Sequence, residues 1–332
     1  MRVCYLLQTH RDARQIARLV ATLGQQSPGS IVLVAHDQTG CALTAQSLPG
    51  PAEVHYLPVA GPMRRGYFSL LDPYLQGVAW LRREGLDYDW LVYLSGQDYP
   101  VQPLTRSEAL LASAECDGFL RYWPALGTGG PWRRRRQGLL RYYFQYRDAP
   151  PWSAPWLRLL KGLNGLQSQF HVQLVYGLRV GRRARHTPFD HGRVCYAGWQ
   201  WTTLRRACAE HVLETVESEP ELVAYYRRTI CPDESLVQTI LVGSGRFRLT
   251  NDNLRYSDTG ASRDGRPRLL GVADLGMLIS GGYCFARKFD LDYDARVLDL
   301  LDERLDETEG PRSPGRAPLA EPSEPTQQRA QP

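Results

Sequence analysis

Two adjacent carboxylates, Asp233 and Glu234, follow Pro232 at the head of an apolar run. In that run Leu236 and Ile240, and Val237 and Leu241, pair four apart, which predicts a helix over 232–242. Proline suits the first position of a helix. Both acids then fall in the first turn, where the positive end of the helix dipole stabilises anions. They serve either that dipole alone or a cleft in which Glu234 is a general base. Ser95-Gly96-Gln97-Asp98-Tyr99-Pro100 follows an apolar strand, and Gly96 permits a sharp turn that projects Asp98 past the strand end. Asp98 is then a turn residue or part of a metal site. Mg²⁺ and Mn²⁺ want several oxygen ligands, and no second acid stands adjacent.

Phe285-Ala286-Arg287-Lys288-Phe289-Asp290 sets two cations between phenylalanines four apart, whose rings would anchor one face and hold the cations outward. Arg266-Pro267-Arg268 ends twenty residues before Lys288. Arginine as a fork and lysine as a point charge can hold a diphosphate without a metal. The same residues also describe an ordinary solvated basic surface. Trp199-Gln200-Trp201 places an amide between two indoles, which suits a sugar ring or a packed tryptophan pair in the core. Arg133–Arg136 and Arg141-Tyr142-Tyr143-Phe144 interleave cations with rings. Three readings stay open for them: an exposed arginine loop over an acceptor groove, nucleic acid, or an anionic membrane into which Trp152, Trp156, Leu159, Leu160 and Leu163 dip.

The elements that must carry these residues alternate. Val3–Gln8, Ile31–Ala35, Val54–Leu57 and Trp90–Leu94 read as short apolar strands, and Asp12–Leu23 and Leu70–Arg83 as helices between them. That rhythm predicts an α/β fold with a mostly parallel central sheet and helices on both faces. Ligands in such sheets lie beyond the carboxyl ends of the strands, where His36-Asp37 and Ser95–Asp98 fall. Residues 121–190 break the rhythm, with 13 Lys/Arg against 2 Asp/Glu, and read as an acceptor-side insertion of loops plus one amphipathic helix near 156–169. Val212–Ser218 and Glu221–Arg227 read as helices and Phe247–Leu249 as a strand. One domain over 1–305 and a disordered tail over 306–332 are expected, the tail being rich in Pro, Glu and Gln and nearly free of apolar residues.

The chain has 332 residues, 43% apolar and 23% charged, which is a soluble globular composition. No apolar run is long enough to span a bilayer, and the N-terminus has no secretory pattern. Seven scattered cysteines without metal spacing read as reduced thiols. Of 40 basic residues only Lys161 and Lys288 are lysines, which makes each worth attention.

Five segments in order, Tyr5-Leu-Leu-Gln-Thr-His10, Tyr93-Leu-Ser-Gly-Gln-Asp-Tyr-Pro100, Gly198-Trp-Gln-Trp-Thr-Thr-Leu204, Pro232-Asp-Glu-Ser235 and Phe285-Ala-Arg-Lys-Phe-Asp290, give the chain a family resemblance. It resembles the core-2/I-branching β-1,6-N-acetylglucosaminyltransferases and the related peptide O-xylosyltransferases. The resemblance implies a GT-A-type fold and an inverting, metal-independent transfer from a UDP-sugar, most simply UDP-N-acetylglucosamine, to a glycan, glycolipid or protein hydroxyl. A UDP-xylose-dependent enzyme and a non-catalytic glycan-binding protein of the same fold are the alternatives.

Carried onto matching positions, the resemblance implies Glu234 as catalytic base, Lys288 and Arg268 as diphosphate contacts, and Asp37 as uridine contact. Arg266 also fits the second cation when gaps shift. Asp98 takes the place of the usual metal motif, and Asp233, Trp199, Gln200 and Trp201 line the donor or acceptor. No metal, no cofactor and no nucleic acid is expected. Animal members carry a membrane anchor, a stem and disulfides. Their absence here leads to the expectation of a bacterial, cytoplasmic enzyme, with peripheral contact to the inner face of an anionic membrane.

Overall fold

The computed structural model describes residues 1–306, apart from 49, 51, 128–129, 133–135, 166–167, 191 and 261–264. The chain opens with β1 (Val3–Thr9), α1 (Ala13–Gln26), β2 (Ile31–His36), β3 (Glu53–Pro58), α2 (Asp72–Arg83) and β4 (Trp90–Ser95). The four strands pair in parallel in the order β3-β2-β1-β4. Thr203–Arg205 continues the sheet antiparallel to β4, followed by Gly118–Phe119 and Leu249–Thr250. This is the mixed α/β class with a mostly parallel central sheet.

Successive side chains of β1 alternate between two cores, as pleating requires. Cys4 and Leu6 join Ile31 and Leu33 under α2 and the helices Arg206–Ser218 and Leu236–Ser244. Val3, Tyr5 and Leu7 join Val32 and Val34 under α1 and the helix Leu291–Asp306. With both faces covered, the strands need unbroken apolar runs, and every residue of β1, β2 and β4 is buried. The Asp12 carboxylate starts α1 by accepting the Gln15 N–H at 3.1 Å.

Past the carboxyl end of β4 the chain turns at Gly96 into β5 (Asp98–Pro100). Phe285–Arg287 pairs antiparallel with β5, and Arg255–Ser257 pairs with Phe285–Arg287. This small sheet brings the last third of the chain across the carboxyl ends of the main strands. Phe285 and Phe289 are buried anchors, but the segment between them is a strand and bend rather than a helix.

Three other expectations are corrected. The stretch 121–190 contains a three-stranded antiparallel sheet, Phe144–Asp148, Arg179–Arg183 and Phe170–Gln173, whose outer strands alternate over only four or five residues and whose middle strand has no apolar alternation. In place of one helix near 156–169 it has the short helix Gln137–Tyr142 and the broken run Pro151–Ser153, Ala154–Leu160 and Lys161–Gly165. The helix expected from Pro232 is divided: Pro232–Glu234 is a separate 3₁₀ turn, and the α-helix starts at Leu236 after a non-helical Ser235.

The tail beyond Asp306 and the arginines 133–135 lie outside the described residues. All seven cysteines carry free thiols. Among the described residues no helix is long and apolar enough to cross a membrane.

Candidate active site

A cavity of about 390 Å³ opens where the carboxyl ends of β1 and β4 meet the small sheet. It is lined by Gln8–Arg11, by Ser95–Gln97, by Trp199–Trp201, by Cys231, Asp233 and Glu234, and by Arg266, Arg287 and Lys288. Segments far apart in sequence therefore meet at the position that parallel sheets reserve for ligands.

The acidic side is built on Cys231, whose φ of 53° is a left-handed conformation rare for a residue with a side chain. The Cys231 N–H donates to Gly66 O at 3.2 Å, and the Ser235 hydroxyl donates to Tyr196 O at 2.7 Å. These bonds fix both ends of the turn that carries Asp233 and Glu234. Asp233 is buried, and its Oδ1 has no hydrogen-bond partner among the described residues. Burial first, and then the neighbouring Glu234 carboxylate, push Asp233 above the ordinary carboxylate range. Glu234 is partly exposed and forms an ion pair with Arg141. The Arg141 guanidinium also donates to the Tyr176 hydroxyl at 3.3 Å and lies 5.8 Å from the Trp132 ring centre. Residues of the 121–190 stretch thus grip the carboxylate.

The basic side gathers Arg11, Arg65, Arg266, Arg287 and Lys288. Arg287 is held from behind. Its Nε sits 3.7 Å from Asp98 Oδ2, and its guanidinium stacks on the Trp201 ring at 4.4 Å. Burial first, and then Arg287, Arg11, Arg266 and Arg65, pull the Lys288 ammonium down to about 8. Among the described residues no carboxylate pairs with it. Buried Arg255 donates to Tyr93 O at 2.7 Å and Thr202 O at 3.2 Å, and burial takes it down to about 10. It staples the end of β4 to the neighbouring loop.

Trp199, Gln200 and Trp201 all line the cavity. Gln200 donates to Gln8 Oε1 at 2.7 Å, and Trp201 also packs on Tyr93 at 5.0 Å between ring centres. Trp201 is therefore half a core residue.

Three expected site residues do not line the cavity. Arg268 is turned away: Asp258 holds its Nε at 2.6 Å and Asp274 takes the rest of the guanidinium, so Arg266 is the cation that lines the cavity. Asp37 is buried at the end of β2, where it accepts from the Thr39 N–H at 2.8 Å and the Met63 N–H at 2.7 Å. It shapes the loop carrying Met63. Asp98 does not project past the strand. It is fully buried, accepting from the Ser95 N–H at 2.8 Å and facing Arg287. Among the described residues no three His, Cys, Asp or Glu side chains are grouped to share a metal ion.

The sequence reading did not single out Gln8–Arg11, Arg65 or Arg141 as site residues. The rule that ligands sit beyond parallel strands would have pointed to Gln8–Arg11. Arg65 reaches the site only through tertiary contacts and has no local signal, whereas Arg141 belongs to the arginine–aromatic stretch noted in the sequence, where nothing local ties it to Glu234.

Residues 184–277 match the sequence profile of the Core-2/I-Branching enzyme family. The matched stretch holds Trp199–Trp201, Asp233, Glu234 and Arg266, while Lys288 lies beyond it. Over 234 residues the chain is 26% identical to a beta-glucuronosyltransferase of Arabidopsis thaliana. That match covers 70% of this chain and 46% of the plant protein, so the chain spans less than half the length of that curated relative.

Proposed function

We propose that this chain is a glycosyltransferase of the core-2/I-branching kind. It moves a sugar from a UDP-sugar to a hydroxyl acceptor, with inversion at the anomeric carbon and with cationic side chains in place of a metal. The observation that carries this reading is one cavity joining the Asp233–Glu234 pair to Arg266, Arg287 and Lys288.

Inversion takes one displacement, hence one base for the acceptor and one stabilised leaving group. Glu234 accepts the proton of the attacking hydroxyl as its oxygen bonds to the anomeric carbon. The bond from that carbon to the β-phosphate oxygen breaks, and UDP leaves with the electron pair. The charge gained on the β-phosphate meets Arg266 and Lys288, with Arg287 fixed beside them. Buried Asp233, raised above the usual carboxylate range, adds little negative charge next to the base. The indoles of Trp199 and Trp201 offer flat apolar faces to a sugar ring, and Gln200 offers an amide.

The donor we favour is UDP-N-acetylglucosamine. The Arabidopsis relative, a beta-glucuronosyltransferase by name, makes UDP-glucuronate the second donor to try. Five cations exceed what one diphosphate requires, so a sugar carboxylate would also find a partner here.

Calorimetry with UDP in EDTA tests the proposal. Binding without added metal is expected, and binding that appears only with Mn²⁺ would refute it. A thermal-shift series with the N-acetylglucosamine, glucuronate, xylose, glucose and galactose nucleotides then ranks donors. No stabilisation by any of them would refute the donor class.

A further inference from the structure

We propose that the helical run over 151–165 and the open face of the adjoining three-stranded sheet form a surface that docks on an anionic lipid bilayer. The proposal stands apart from the catalytic reading, because none of these residues lines the active-site cavity.

Trp152, Trp156, Leu159, Leu160 and Leu163 recur at one-face helical spacing across Pro151–Ser153, Ala154–Leu160 and Lys161–Gly165. In a buried helix such a stripe would face the core. Here the reverse holds: Trp152 is 77%, Trp156 66% and Leu159 73% exposed. Leu157, off the stripe, is the one side chain of the run that is buried. Asn164 ties the run to the sheet, donating to Val172 O at 3.0 Å and accepting its N–H at 2.9 Å. The apolar stripe is thus held outward by the fold.

The sheet beside it continues the surface. Phe144 and Tyr146 face inward and pack with Ile230 and Cys231. On the opposite face Gln145, Arg182 and Phe170 stand in register across the three strands, as do Arg147 and Val180. With Arg228 they line a shallow hollow of about 410 Å³. Among the described residues the guanidiniums of Arg147, Arg182 and Arg228 form no ion pair, and Arg158 and Lys161 add charge on the helical run.

Tryptophans and leucines beside uncompensated cations match the boundary of an anionic membrane, where apolar side chains sink to the acyl edge and cations meet headgroup phosphates. A second copy of this chain would bring like charges together. Nucleic acid would satisfy the arginines and leave three leucines in water, against the polar character of such interfaces.

Flotation of the full chain with phosphatidylcholine vesicles, with and without about 30% phosphatidylserine at about 0.1 M salt, tests the proposal. Binding only to the anionic vesicles, weakened by about 0.5 M salt, is expected. Brominated acyl chains should quench the tryptophan emission, since the indoles sit at the acyl edge. Trp156→Ser with Leu159→Ser, and Arg147→Glu with Arg182→Glu, should each cut binding about tenfold or more at near-native Tm. No flotation, no quenching, flotation undiminished in both pairs, or tighter binding to a random oligonucleotide than to vesicles would each overturn it.

Discussion

Nucleotide affinity should depend on pH through Lys288. Burial and four arginines oppose the charge of its ammonium and bring it down to about 8, from an ordinary 10.5. A diphosphate reverses that field and brings the ammonium back to or above its ordinary value. Only the charged form binds well, so affinity follows the protonated fraction of the free protein. That fraction is about 0.9 at pH 7 and about 0.1 at pH 9, a loss of about tenfold in affinity, or about 1.4 kcal/mol.

The sign is fixed by the direction of the shift. Affinity is full below about pH 8 and is lost as the pH rises through it. Near pH 8 each UDP bound should take up about half a proton, which calorimetry in buffers of different ionisation heat measures directly. Lys288→Arg replaces the titrating group with one that stays charged throughout, and the slope should vanish. Flat affinity between pH 7 and 9, or a slope that survives in Lys288→Arg, would refute the reasoning.

Further outcomes follow from the same geometry. Glu234→Gln should lower sugar transfer by about 10²–10⁴-fold while UDP affinity changes little, and substantial turnover in that variant would remove Glu234 from its role. Arg266→Ala should weaken UDP binding by about tenfold or more, whereas Arg268→Ala, which breaks pairs with Asp258 and Asp274 outside the cavity, should leave it near wild type. Equal losses in the two variants would contradict the placement of both side chains. Asp233→Asn should raise Tm, and the gain should grow from pH 5 to pH 8. A carboxyl raised on folding contributes stability that is lost as the pH climbs out of the acid range. A gain independent of pH would show that burial does not act on Asp233.

What could be read from residues alone was whatever depends on neighbours in sequence. β1, β2 and β4 announce themselves because strands covered on both faces must be apolar throughout. Glu234, Asp233 and Lys288 are named by short segments whose chemistry is local, and the structure brings them to one cavity. What failed was set by distant partners. Arg266 and Arg268 differ by two positions, and the choice between them is made by Asp258 and Asp274, which capture Arg268. Asp98 looks like a projecting acid until Arg287, from the other end of the chain, is seen to bury it. Pro232 starts a helix by rule, yet Cys231 and Ser235 leave helical geometry on either side and confine it to a single turn. The strand Arg179–Arg183 has three arginines, a central glycine and no alternation of apolar residues, so only its partners make it a strand.

The pairing of β5 with Phe285–Arg287 has a consequence for biosynthesis. Arg287 donates to the Ser95 hydroxyl at 3.3 Å from 192 positions away. The parallel core can assemble while the ribosome is still translating, but the cationic side of the cavity at Arg287 and Lys288 is added only after those strands have emerged, and such distant closures are slow. A nascent polypeptide therefore carries Asp233 and Glu234 before it carries Lys288, and the lining of its cavity is complete only when synthesis has passed that lysine.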